Sequence, residues 1–138
     1  MPYLYGVIES SIESSLETDE TSDELTLVIK NDDGTFKIID ITKTNGPCPS
    51  GCIMSTYCGI YERDVDTLDD DIRFSHMFSS PHDNNENVVH MFNGITTNND
   101  IHTITFSTGI IIIDEIGGDP YYPNGSISIG IKDFPLLW

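Results

Sequence analysis

Cys48, Cys52 and Cys58 lie close together, and the first two flank the turn-forming stretch Gly46-Pro47-Cys48-Pro49-Ser50-Gly51-Cys52. Thiolates so placed suit zinc, which binds cysteine pairs on tight turns, most characteristically at Cys-x2-Cys spacing. The spacing here is Cys-x3-Cys-x5-Cys, and a fourth ligand would have to be a remote histidine. Plain thiols, with Cys58 buried in a strand, are the simpler expectation. A Cys48–Cys52 disulfide is an alternative, but three cysteines behind no secretory leader favour the reduced state.

His-Met-Phe occurs twice, at His76-Met77-Phe78 and His90-Met91-Phe92, with a turn-rich stretch between. If Phe78 pairs with Val88 in an antiparallel hairpin, His76 stands opposite His90 and Phe74 opposite Phe92. Two imidazoles within about 5 Å can bind a metal or respond to pH, and His82 in the loop would be a third nitrogen ligand. A Phe/His ladder that packs one sheet face accounts for the same repeat without a ligand. Asp64, Asp66, Asp69, Asp70 and Asp71 form the densest carboxylate cluster, which suits calcium in chemistry. It lacks the alternating acids, central glycine and terminal glutamate of an EF-hand loop, so a solvated acidic loop is the default.

An enzyme needs more than these residues. There is no Gly-x-Ser-x-Gly, and Gly117-Gly118 precedes Asp119-Pro120 where a phosphate cradle would open a helix. A metal-dependent enzyme is therefore the third reading, resting on a metal held by His76, His90 or the cysteines. No cofactor is the first expectation.

The features that suit binding are stronger. Tyr121 and Tyr122 sit between two prolines in Gly-Gly-Asp-Pro-Tyr-Tyr-Pro-Asn-Gly, and stiff tyrosine loops make good contact points. The chain ends Asp133-Phe134-Pro135-Leu136-Leu137-Trp138, an apolar tail that must either close its own sandwich or dock on a neighbouring subunit. Twenty-three Asp and Glu against six Lys and Arg give a net charge of −17. Direct nucleic-acid binding is excluded on that balance, because phosphate neutralisation needs clustered bases. A protein partner with a basic surface is favoured. Seventeen negative charges match those on about 29 Å of duplex, so an acidic nucleic-acid mimic that inhibits a DNA- or RNA-binding enzyme is the runner-up. The first reading is a non-catalytic interaction or structural protein, a subunit or accessory of a larger assembly such as a virion, with homo-oligomerisation open to it.

The elements that must position these groups are strands. Twenty Ile and thirteen Thr, with no Ala and no Gln, favour extended backbone over helix. Alternation at Tyr3, Tyr5 and Val7, then runs at 25–30, 36–41, 52–61, 72–78, 88–92, 101–107, 110–116 and 126–132, predict about nine short strands. An antiparallel β-sandwich or jelly-roll-like domain over 1–138 follows. Asn31-Asp32-Asp33-Gly34 marks a hairpin, and Ile110 to Ile113, apolar on both faces, marks a strand that is central or sits under a second layer.

Residues 9–24 stand apart, with Glu9, Glu13, Glu17, Asp19, Glu20, Asp23 and Glu24 and no base. They read either as a short acidic helix with Ile8, Ile12 and Leu16 on one stripe or as a flexible loop. The helix would stack Glu9, Glu13 and Glu17 on adjacent turns at a cost of about 0.2–0.5 kcal/mol per pair. The longest aliphatic run is far too short for a membrane span, and Met1-Pro2-Tyr3 does not open a signal peptide. The expected location is cytoplasmic or virion-associated, away from membranes.

Overall fold

Period-two alternation of apolar and polar residues folds the chain into two antiparallel sheets. The computed structural model describes residues 1–13, 20–47, 54–83 and 86–135. The first sheet holds β1 (Tyr3–Glu13), β2 (Thr21–Lys30), β3 (Phe36–Pro47), β4 (Met54–Val65) and the short β5 (His76–Met77), in the order β4-β3-β2-β1-β5. The second is a meander of β6 (Phe92–Asn98), β7 (Ile101–Phe106), β8 (Gly109–Asp114) and β9 (Ser126–Ile131) in sequence order. No helix is found among the described residues, so none is long and apolar enough to cross a membrane.

The core lies between the sheets. Leu25, Leu27, Ile29, Ile39 and Ile41 point inward from the first sheet, and Ile104, Phe106, Ile111 and Ile113 meet them from the second. Each such side chain contributes about 1.5–3 kcal/mol by leaving water. A bulge between Leu4 and Gly6 shifts the phase of β1, so that Leu4 and Val7, three residues apart, both face the core. β8 is central, as its apolar run predicts, with Ile111 and Ile113 fully buried on its inner side.

The turns follow their chemistry. Asn31 N–H donates to the Thr35 carbonyl at 2.8 Å, and Gly34 takes φ 87° behind two aspartates, closing the β2–β3 hairpin with glycine where the left-handed region requires it. Asn99 and Asp100 both have positive φ, 48° and 62°, which gives the β6–β7 hairpin its two-residue turn.

Three expectations are corrected. The described part of the acidic segment is not helical: residues 9–13 and 21–24 are strand, with Glu9 opposite Leu25, Ser10 opposite Glu24 and Glu13 opposite Thr21. Pairing sets acids against hydroxyl and apolar residues where a helix would stack them on each other, and Ser11 Oγ donates to Asp23 Oδ1 at 2.6 Å. Glu17 lies outside the described residues. Residues 72–78 supply only the two-residue β5. The 88–92 run forms a single bridge, Met91 with Tyr3, and the strand begins at Phe92 instead. Gly94 masked β6 in the sequence, because its φ of 109° and the accompanying bulge interrupt the alternation.

The connection from β4 to β5 crosses the outer face of the first sheet. Leu68 and Ile72 lie over Ile8, Val28 and Ile38, and Val28 and Ile38 are buried there. Phe74 then packs flat against Gly6, where an added Cβ would come within 2.5 Å of its ring. Its ring also meets Tyr5 at 5.6 Å, and Lys30 Nζ sits 5.5 Å above the Tyr5 ring.

Candidate interaction surface

The tyrosine loop, residues 115–125, is held at both of its ends and along one side. Gly117 N–H donates to Asp114 Oδ1 at 2.8 Å, and Asp119 Oδ1 accepts both Tyr121 N–H at 2.9 Å and Tyr122 N–H at 3.2 Å. Asn124 N–H returns to the Ile116 carbonyl at 3.0 Å. The loop also extends the edge of β4 in the other sheet: Cys58 N–H donates to the Glu115 carbonyl, Thr56 N–H to the Pro123 carbonyl and Gly125 N–H to the Thr56 carbonyl, at 3.0, 2.9 and 2.8 Å. Space is tight enough to demand glycine, since a Cβ on Gly117 would lie 2.5 Å from the Asn124 carbonyl oxygen. On this closed frame Tyr121 is 79% exposed and Tyr122 50%. An ordered backbone under exposed tyrosines leaves little entropy to lose on docking.

The acidic residues do not converge on one point. Glu9 is exposed on β1, while Asp64 closes β4 with its carboxylate 3.3 Å from Lys37 Nζ. Asp66, Asp69, Asp70 and Asp71 are exposed along the crossing connection. Among the described residues no group of three or more His, Cys, Asp or Glu is placed to hold a metal ion.

A carboxylate pair that the sequence did not single out lies under that connection. Glu24 and Asp40, on neighbouring strands, border a cleft of about 430 Å³ floored by Ile8, Val28 and Ile38. Thr26 Oγ1 donates to Asp40 Oδ1 at 2.8 Å, and Arg63 Nη1 lies 3.6 Å from Asp40 Oδ2. Burial, then the Asp40 charge, raises the Glu24 pKa above its ordinary value. Cross-strand register placed the pair: Thr26 faces Asp40, and Glu24 is two residues away on the same face.

His76 and His90 do meet at one cleft, but by another route than the expected hairpin. His76 pairs with Val7 on β1, while the His90 carbonyl accepts Leu4 N–H at 2.8 Å, so the two histidine segments follow one another along the edge of β1 that β2 leaves free. Phe78 separates the imidazoles, 4.7 Å from His76 and 5.2 Å from His90. Phe74 and Phe92 part company, since Phe74 packs on Tyr5 and Phe92 on Phe106. His90 is buried, with Nδ1 2.5 Å from Thr108 Oγ1, and burial lowers its pKa despite the nearby Asp133 carboxylate. The cleft measures about 460 Å³ and includes Glu86 and Asp133.

Sequence reading also passed over His102. Its Nδ1 lies 2.8 Å from Thr97 Oγ1 across the β6–β7 ladder, and its Nε2 lies 3.4 Å from Glu115 Oε1 without hydrogen-bond geometry. Only the β6 register, hidden by Gly94, sets Thr97 against His102.

Cys58 is buried between β3 and the tyrosine loop, and burial pushes its thiol up to about 11. Cys48 and Cys52 fall outside the described residues, as do Leu136, Leu137 and Trp138. Phe134, from the same tail, turns back and stacks on Phe78 with centroids 5.9 Å apart. No family model matches the sequence, and no curated protein or solved structure matches it either.

Proposed function

We propose that the chain is a non-catalytic acidic interaction protein, a subunit or accessory of a larger assembly such as a virion, which docks a basic protein surface through the Tyr121–Tyr122 loop. The observation that carries this reading is the pairing of two exposed tyrosines with a main chain hydrogen-bonded on both sheets. Asp119 and Glu115 at its base add the charge that draws a basic partner, and the net charge of −17 adds long-range attraction. The test compares immobilised protein with its Tyr121→Ala/Tyr122→Ala variant for the proteins each retains from an extract of the source cells, at about 0.05 M and about 0.3 M salt. A protein lost with both the tyrosines and the salt supports the reading; identical retention by the two forms overturns it.

A second reading, an acidic mimic that occupies the nucleic-acid channel of an enzyme, is favoured by the exposed line Asp66, Asp69, Asp70 and Asp71 on the same side as Glu24 and Asp40. It expects charge reversal at 69–71 to weaken inhibition of a DNA- or RNA-binding enzyme, with Tyr121 and Tyr122 dispensable.

A further inference from the structure

The outer face of the β6–β9 sheet is nearly free of charge in a chain of net charge −17. Asp114 is the sole formally charged residue in its strands, whereas each of β1 to β4 carries two or three. Alternation turns Ile101, Thr103, Thr105, Ile110, Ile112 and Ser128 outward, with Asp114 at the end of the same face opposite Ile101, and Ile101 and Ile110 are 41% and 39% exposed.

Gly130 belongs to the same face, opposite Ile110. Its φ is not in the left-handed region, and an added Cβ would meet only the Ile110 carbonyl oxygen, at 3.7 Å. Nothing within the chain therefore requires glycine at this strand position, where glycine weakens a sheet and leaves room for another backbone to approach. Gly94, whose φ of 109° does require glycine, leaves the opposite border flat as well.

We propose that a second copy of the chain docks here, sheet face against sheet face, about a two-fold axis near Thr103 and Ile112. Charge selects the occupant. Two copies repel over their acidic surfaces and can approach closely only where charge is scarce, while a basic partner is drawn to the charged surfaces, the tyrosine loop with Asp119 and Glu115 among them. Threonine and serine hydroxyls both donate and accept, so the face is complementary to itself, as a two-fold contact requires. Four strands about 4.8 Å apart and about 20 Å long span about 400 Å² per copy. That is small for a permanent dimer, so the association is concentration-dependent. It goes beyond the tyrosine-loop reading and uses a different surface.

Sedimentation velocity of the full chain, from about 10 µM to about 1 mM, tests it at about 0.05 M and about 0.5 M salt. The mass is expected to rise toward two chains with concentration, and more steeply at high salt, where repulsion is screened. Gly130→Gln, neutral and with room for its side chain, and Thr103→Glu should each move the association to at least about tenfold higher concentration. Both should keep the wild-type circular dichroism spectrum. A monomer at every concentration and salt overturns the proposal, and so does wild-type association by a folded Gly130→Gln or Thr103→Glu. Tyr121→Ala/Tyr122→Ala should leave self-association unchanged. Salt separates the two readings further, because it strengthens this contact and weakens binding to a basic partner.

Discussion

His90 Nδ1 lies 2.5 Å from the Thr108 hydroxyl, joining the segment before β6 to the β7–β8 turn, with the Phe78 ring edge-on at 5.2 Å. Burial favours the neutral imidazole, so the folded pKa is below the unfolded value of 6.5. In that window the unfolded chain binds the proton first, and stability rises with pH. The contribution is complete above about 6.5 and is lost as pH falls from there toward the depressed folded value. Denaturant unfolding at steps between about pH 8 and pH 5 should show this slope in wild type and a flatter one in His90→Gln. Equal slopes would remove His90 as the cause.

Glu24 has the opposite sign. Its pKa is raised by burial and by Asp40, so its ionised form costs stability at neutral pH and the cost disappears as pH falls through the carboxylate range. Glu24→Gln should raise the Tm at pH 7 by a few degrees at most, because the group is only partly buried, and the gain should vanish near pH 4. A lower Tm at pH 7 would show that the attraction of Arg63 outweighs burial and the Asp40 charge at Glu24.

The tyrosine loop depends on Gly125 for its closure. A Cβ there would lie 2.6 Å from the Asp114 carbonyl oxygen and closer still to that of Glu115. Gly125→Ala is expected to cost about 1–3 kcal/mol, and hydrogen exchange at the Cys58 and Thr56 amides, which bond to the loop, should quicken. Unchanged exchange would mean that the loop is not held by β4.

Adjacent isoleucines on β8 should respond very differently. Ile111, fully buried, should lose about 2–5 kcal/mol on replacement by Ala, while Ile110, 39% exposed, should lose a small fraction of that in the monomer. Denaturant midpoints of the two variants measure the difference. Similar losses would mean that Ile110 is covered within the chain.

Cys58 should be chemically quiet. With its thiol buried and its pKa pushed up to about 11, iodoacetamide at pH 8 should leave it unmodified in the native protein and alkylate it after unfolding. Peptide mass spectrometry reads the site directly, and native alkylation would show that the tyrosine loop opens.

The strand content, the Asn31–Gly34 hairpin and the central place of β8 were legible in the sequence because each rests on local chemistry. Ile and Thr abundance disfavours helix, glycine supplies a left-handed turn, and a run apolar on both faces suits a strand inside its sheet better than one at an edge. The exposed tyrosines were legible for the same reason, since two prolines and two glycines hold them out of a strand.

Tertiary structure alone decided what depends on register. A bulge reverses which residues face inward, so the phase of β1 at Leu4 and Val7 and the start of β6 at Gly94 could not be read by alternation. Residues 9–13 and 21–24 became strand because cross-strand hydroxyls accommodate their acids, an arrangement invisible without the partner strand. His76 and His90 share a cleft only because their segments bond one edge of β1 in succession. Glu24 with Asp40, Thr97 with His102, and the charge-poor outer face of β6–β9 likewise exist only once distant strands are aligned.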